Sequence, residues 1–388
     1  MATEGNLPSS LTGAGVPPGR VQDFALPSLS VIVPVYNGAA CLPRCLEGLR
    51  LSEYRNFEII VVDDRSTDST PEIIRRSGVR SLRTPRPLGP AGARNMGIGL
   101  AQGSIVVFVD ADVVLPPNAL GLIAQEFARD AQLAAVFGSY DEEPSSADFL
   151  SQYKNLTHCY VHQNSSEQAT TFWAGCGAVR KSIFVECGGF DATRYRRPSI
   201  EDIELGYRLV RDGHKIRLLK RLRVKHLKKW TLPGLLETDI FHRAVPWTRL
   251  ILESRRLPRD LNLTSGARVS AGLVGLLSLG WVILFLQAAN VLPTISFPSP
   301  GLAEIAVVAA LGGALVALNW DMYAFFGKQR GWWFAARVVP MHWFYYLYSG
   351  IAFALCGVAH AAHLLVASIT PAGRLGSPPL SDGGKSRS

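Results

Sequence analysis

Two carboxylates separated by one residue, Asp110-Ala-Asp112, close the apolar run Ile105-Val-Val-Phe-Val109. At that spacing the side chains diverge, so one can meet a hydroxyl while the other meets a hard divalent cation, which takes oxygen ligands and bridges phosphates. A second acidic cluster, Asp63-Asp64-Arg-Ser-Thr-Asp68, follows Phe57-Glu-Ile-Ile-Val-Val62. Capping a helix takes one such residue. Five of these six are of that type, which leaves carboxylates free to accept from a nucleobase N–H or ribose hydroxyls. Arg94, in Gly92-Ala-Arg-Asn-Met-Gly97, suits either a phosphate or a surface ion pair. Glu201, Asp202 and Glu204 open an amphipathic segment, where carboxylates complement a helix dipole, and taken alone that role accounts for them.

The elements that must hold these groups follow from hydrophobic patterning. Leu29-Ser-Val-Ile-Val-Pro-Val35 is a short β-branched run and reads as a buried strand, as do the runs before Asp63 and Asp110. Helices are expected over residues 39–51, from Ser69-Thr-Pro-Glu72 onward, and over residues 91–101. Strands alternating with helices imply an α/β fold with a mostly parallel sheet covered on both faces. In such sheets ligands bind at the carboxyl ends of the strands. Tyr36-Asn37, Asp63-Asp64, Asp110 and Asp112 all lie at such ends.

Charge divides the chain of 388 residues in two. Charged residues are dense up to about residue 260 and sparse beyond it. Residues 269–292, 302–320 and 343–367 are apolar runs near or above the roughly 20 residues that cross a bilayer, which implies an integral, multi-pass membrane protein with about three transmembrane helices. The link at 293–301 has no Lys or Arg, whereas the next carries Lys328, Arg330 and Arg337. The positive-inside rule therefore puts the N-terminal part in the cytoplasm. Thirteen Lys/Arg between residues 194 and 229 contribute to a net charge of +9, and their place before the apolar runs favours an anionic leaflet over nucleic acid. Residues 231–267 mix aromatic, apolar and basic side chains and read as an amphipathic joint in the interface. The tails, 1–27 and 369–388, have the Gly/Pro/Ser-rich composition of disordered segments. Six cysteines form no CxxC pair and read as buried thiols in a reducing compartment.

Val31-Ile-Val-Pro-Val-Tyr-Asn37, Val61-Val-Asp-Asp-Arg-Ser-Thr-Asp68, Gly92-Ala-Arg-Asn-Met-Gly97, Asp110-Ala-Asp112 and Glu201-Asp202, in this order and spacing, resemble the motif series of family 2 glycosyltransferases over residues 28–230. The resemblance implies a GT-A fold, a nucleoside-diphosphate sugar as donor, and Mg2+ or Mn2+ as cofactor. It gives Pro34, Tyr36, Asp63 and Asp64 contacts to nucleobase and ribose, sets Arg94 near the nucleotide, and turns Asp110 toward the ribose. Asp112 would hold the metal with the diphosphate, joined by His226, and Asp202 would be the general base toward the acceptor hydroxyl. Trp173-Ala-Gly-Cys-Gly177 is similar to the family's sugar and acceptor floor, so Trp173 and Glu201 are candidate acceptor contacts. Phe241-His-Arg-Ala-Val-Pro-Trp247 takes the place of a Gln-x-x-Arg-Trp motif found in processive members without matching it. Arg243 and Trp247 remain acceptor candidates there, and processive synthesis is not expected. Gly38 stands where many members carry an acid.

These features together imply an inverting hexosyltransferase acting on a lipid-linked or otherwise membrane-proximal acceptor, such as a glycolipid. A uridine donor is expected before a guanosine one, being commoner in the family. A polyprenyl-phosphate sugar synthase is the alternative, because a phosphate acceptor scarcely needs a base. A non-catalytic nucleotide-sugar-binding scaffold is the third reading, and the complete set of metal and base positions argues against it.

Overall fold

The computed structural model describes residues 25–254, 261–293 and 302–369. Most of both tails and of the 293–301 link, for which disorder and an exterior position are expected, lies outside the described residues.

β1 (Leu29–Val35) is buried at every position, as a β-branched run enclosed on both faces must be. Alternation continues through α1 (Leu42–Arg50), β2 (Phe57–Asp63), α2 (Thr70–Ser77), β3 (Arg80–Arg83), α3 (Gly89–Ile98) and β4 (Ile105–Val109). Then come β5 (Val113–Val114), α4 (Ala119–Arg129), β6 (Leu133–Tyr140), α5 (Phe149–Asn164), β7 (Gln168–Ala169), β8 (Cys176–Arg180), α6 (Lys181–Glu186), α7 (Glu201–Arg211) and β9 (Lys215–His226). The helix expected from residue 39 starts at Leu42, and α3 starts and ends earlier than periodicity suggested. Ser69 makes no capping bond at α2; the carboxylate of Asp68 accepts from Thr70 N instead.

The sheet order is β3-β2-β1-β4-β8-β6-β9-β5, with β7 on β9. The first four strands are parallel. β8 runs antiparallel between β4 and β6, so the whole sheet is mixed. Successive β1 residues feed two cores: Val31, Val33 and Val35 pack with α1 and α4, whereas Ile32 packs with α3, α6 and α7. That arrangement leaves the carboxyl ends of β1, β2 and β4 side by side.

After β9 the chain forms α8 (Leu232–Glu237), a π-helical turn (Thr238–Ala244), α9 (Val245–Ser254), α10 (Ser265–Ala288), α11 (Leu302–Leu318), α12 (Trp320–Arg330) and α13 (Trp332–Ile369). Two of these, over Ser265–Ala288 and Trp332–Leu365, are long and apolar enough to cross a membrane. A third crossing counts if α11 and α12, bent by 66° at their junction, form one span. Val269, Leu276, Leu279, Trp281 and Phe285 on α10 are exposed, a surface that suits lipid better than water. The third apolar helix starts at Trp332, well before residue 343, because α12 and the start of α13 pack on the α/β domain. Met322, Tyr323 and Phe326 join Tyr153 and Leu156 of α5 in one core, and Arg330 donates to Gln152 Oε1 and Glu142 O.

Part of the basic run is paired with carboxylates within the domain. Arg217 and Arg221 pair with Glu126, Arg223 with Glu142, and Lys225 with Asp141 and Glu143.

Candidate active site

The turns after β1 and β2 interlock. Asn37 and Arg65 adopt left-handed backbone (φ +50° and +69°), unusual for residues with side chains and frequent where a turn must present polar groups. Asn37 N donates to Ser66 Oγ, and Thr67 N donates back to Asn37 Oδ1. A Cβ on Gly38 would collide with the Val35 side chain, so the turn packs tightly against β1 there. Tyr36 is 60% exposed above this turn, whereas Pro34 is buried within β1 beside Val62.

Asp63 and Asp64 are both buried but serve different neighbours. Asp63 accepts from Ser66 N and pairs with Arg83 at 3.2 Å. Asp64 accepts from Thr84 Oγ1, Leu88 N and Gly89 N, each at 2.8 Å, and so draws the 84–89 segment over the end of β2.

Around β4 the acidic groups converge on one cation. Arg94, presented by α3, is buried; its Nη2 donates to Asp110 at 2.7 Å and its Nη1 to Glu201 at 2.8 Å. It is an interior hub rather than a surface ion pair. Burial opposes its charge, but Asp110, Glu201 and Asp202 keep it protonated. Asp110 and Asp112 leave one turn in different directions, Asp110 toward Arg94 and Asp112 toward His226 Nε2 at 3.5 Å. Pairing of Val113 with His226 sets that second contact. The two acids titrate oppositely. Burial raises Asp110 despite Arg94, while His226 and Lys228 hold Asp112 below the usual carboxylate range despite its burial.

Asp202 sits beside Glu201 at the start of α7. Its carboxylate accepts from Ala174 N at 3.0 Å and from Ile203 N at 2.8 Å. Burial, and then the charge of Glu201, raise its pKa to about 6, near the range in which a general base works best. α7 can lie this close to the 171–174 segment because Gly206 faces the backbone of Thr171 and Phe172, where a Cβ would not fit. Glu201 itself is 4% exposed and spent on Arg94 and Ser199 N.

The Trp173 ring lies across Gly175, which could not carry a side chain beneath it, and Gly177 is closed in by the Trp173 carbonyl and the Phe172 ring. Its ring is 5.0 Å from Tyr140 and 4.8 Å from His158. Tyr140 stacks on His226 at 4.2 Å, so one aromatic wall links Trp173 to Asp112. Trp247 donates to Tyr207 OH and thereby fastens α9 to α7, while Arg243 faces a cavity beside α5.

Tyr140, His158 and His162 escaped the sequence reading. The four-residue spacing of Lys154, His158 and His162 could have flagged a polar face on α5. Equally unforeseen is the buried contact of Lys154 with Asp239 (2.5 Å), which also accepts from Tyr348 of α13.

Residues 30–188 match the profile described as Glycosyl transferase family 2. The glycosyltransferase GlyG of Streptococcus pneumoniae is 30% identical over 40% of this chain and 54% of its own length. A GalNAc(5)-diNAcBac-PP-undecaprenol beta-1,3-glucosyltransferase of Campylobacter jejuni is 32% identical over 29% of this chain and 38% of its own. The chain thus spans about half the length, or less, of these curated relatives. A mannosyltransferase of Pyrobaculum calidifontis, solved with GDP-Man and Mn2+, superposes on 81% of this chain and 88% of its own with a TM-score of 0.54 at 21% identity, a likeness of fold. Profile, relatives and fold agree: residues 30–188 are similar to family 2 glycosyltransferases, within a domain whose fold is like that of GT-A enzymes and which apolar helices follow.

Proposed function

We propose that this protein is a metal-dependent, inverting glycosyltransferase that moves a sugar from a nucleoside-diphosphate donor to a lipid-linked or membrane-proximal acceptor. The observation that carries the proposal is the gathering of Asp110, Asp112, Asp202, Arg94 and His226 at one sheet edge, with a carboxyl of raised pKa at Asp202. The GDP-Man held by the P. calidifontis mannosyltransferase and the lipid-linked substrate in the C. jejuni enzyme's name agree with it.

Asp112 and His226 offer a carboxylate oxygen and an imidazole nitrogen 3.5 Å apart. Among the described residues no group of three His, Cys, Asp or Glu side chains could hold a metal ion. Two protein ligands still fit Mg2+ or Mn2+, which commonly share their shells with water and phosphate. When bound there, the cation would offset charge gathering on the departing diphosphate. Tyr36 would cover the base, and Asp63 and Asp64 would shape the loop beneath it. Asp202 takes the acceptor's proton as its oxygen bonds to the anomeric carbon. The bond from that carbon to the diphosphate breaks on the opposite face, and the nucleoside diphosphate leaves with the electron pair.

The domain and the cationic α12–α13 junction share one side of the helices, through Arg330. With the positive-inside rule this supports a multi-pass protein with its catalytic domain in the cytoplasm. Purified protein given UDP- and GDP-sugars, Mn2+ and lipid extract should release nucleoside diphosphate. No release with any donor, with Asp112→Ala equal to the unaltered protein, would overturn the proposal. Near-full activity of Asp202→Asn would transfer it to a phosphate acceptor, which needs no base.

A further inference from the structure

A cavity of ≈ 710 Å3 lies where the α/β domain meets the apolar helices, bounded by α5, the π-helical turn, α9, α10 and α13. Its two ends differ in chemistry. At the domain end the cations Lys154 and Arg243 both line it. Lys154 is matched by Asp239, at 2.5 and 2.6 Å. Arg243 has no ion pair or hydrogen bond among the described residues. Beside it, the buried Thr157 Oγ1 and His158 Nδ1 also have no hydrogen-bond partner. Leaving buried polar atoms such as these two unsatisfied costs about 1–3 kcal/mol each. A cation that shares Asp239 with Lys154 only through its field, without a bond of its own, and that is flanked by idle polar atoms, is therefore a place for an anion with several acceptor oxygens.

At the other end the wall is helix backbone laid bare. A Cβ added to Gly272 or Gly275 of α10, or to Gly350 of α13, would meet nothing within 4 Å. All three glycines line the cavity, together with Ala271 and Phe353. This leaves a smooth apolar slot between two membrane-length helices. The polar end in turn shares its wall with the transfer site, since His158 packs at a tilt against Tyr140 (4.3 Å) and Tyr140 stacks on His226 (4.2 Å). Tyr140 also lies in the fields of Asp112, Asp110, Asp202 and Arg243 together.

We infer that this cavity holds the acceptor as a single-chain hydrocarbon phosphate or diphosphate, its phosphate on Arg243 and its chain in the slot between α10 and α13. The inference rests on the transferase proposal and adds the acceptor's chemical class and seat. An anchor at Arg243 directs whatever the phosphate carries toward Asp202 along the Tyr140–Trp173 wall.

The test uses the full chain in detergent, with farnesyl phosphate, farnesol and inorganic phosphate as probes, and binding of UDP and GDP with Mn2+ followed in parallel by calorimetry. Farnesyl phosphate should bind more tightly than either farnesol or inorganic phosphate. Arg243→Ala should weaken farnesyl phosphate by about ten- to a hundredfold, the worth of one charge-assisted hydrogen bond, and leave farnesol unchanged. Arg243→Lys should restore part of the loss. Gly275→Phe, which fills the slot without touching backbone, should weaken both lipids. Nucleotide binding should be unaltered in every variant. Nucleotide binding without farnesyl phosphate binding, or lipid binding indifferent to both Arg243→Ala and Gly275→Phe, overturns the inference and leaves the transferase proposal standing. Loss of nucleotide binding in the unaltered protein overturns both.

Discussion

Neutralising Asp202 should stabilise the protein while it disables the enzyme. In the fold its carboxyl pKa rises from 3.8 to about 6, through burial and then the adjacent charge of Glu201. About two pH units at 1.36 kcal/mol each means that folding disfavours the ionised form by roughly 3 kcal/mol. The sign is that of an acid raised by folding. The penalty is absent below the unfolded value of 3.8, grows as pH rises through about 6, and is complete above it. Asp202→Asn removes the charge but weakens the bonds from Ala174 N and Ile203 N, so the net gain near neutral pH should be about 1–2 kcal/mol. Thermal melts at about pH 7.5 should show the variant above the unaltered protein, with the gap closing at about pH 4. Transfer should fall by about 10²–10⁴-fold, the usual worth of a general base. In the unaltered enzyme kcat/KM should decline about tenfold per unit below pH ~6. Nucleoside diphosphate release across that range checks both. A flat profile, with a variant that melts lower at neutral pH and transfers at the normal rate, would refute the assignment.

Arg94→Met should leave the buried Glu201 and the part-exposed Asp110 without their cation and cost about 3 kcal/mol, read as a large drop in melting temperature. Asp112→Asn should preserve the fold and abolish the Mn2+-dependent part of nucleoside diphosphate binding, measured by calorimetry with and without the ion. Gly206→Ala should push α7 from the Thr171–Phe172 backbone, with a loss of about 1–3 kcal/mol and a fall in kcat as Asp202 shifts, seen in paired melts and rate assays.

Local patterning was enough to expose the strands that hold the site. β2 and β4 are apolar, β-branched-rich runs that stop at acids, and β1 is a similar run that stops at Tyr36-Asn37, so the polar groups stand where the runs end. Which group each carboxylate meets was not legible. Arg94 and Glu201 are far apart in sequence, and only the packing of α3 beside α7 makes Arg94 their common partner. The same limit hid the ion pairs of the basic run, because Glu126 on α4 meets Arg217 and Arg221 only once β9 is laid beside β6. Apolar composition marked the membrane-length helices, but hydropathy could not tell that α12 and the start of α13 pack on Tyr153 and Leu156.

α13 has 38 residues, so at 1.5 Å per residue it is about 57 Å long, nearly twice the roughly 30 Å of a bilayer's hydrocarbon interior. Only part of it can be immersed, and the remainder is the stretch that grips the domain. With Asp239 tied to Tyr348 and Arg330 tied to Glu142, domain and helix must tilt as one piece. Hydrophobic mismatch would then be transmitted to the height of the transfer site. Membrane thickness thereby becomes a variable of catalysis, and lipids of different acyl length should alter the rate without any change in the protein.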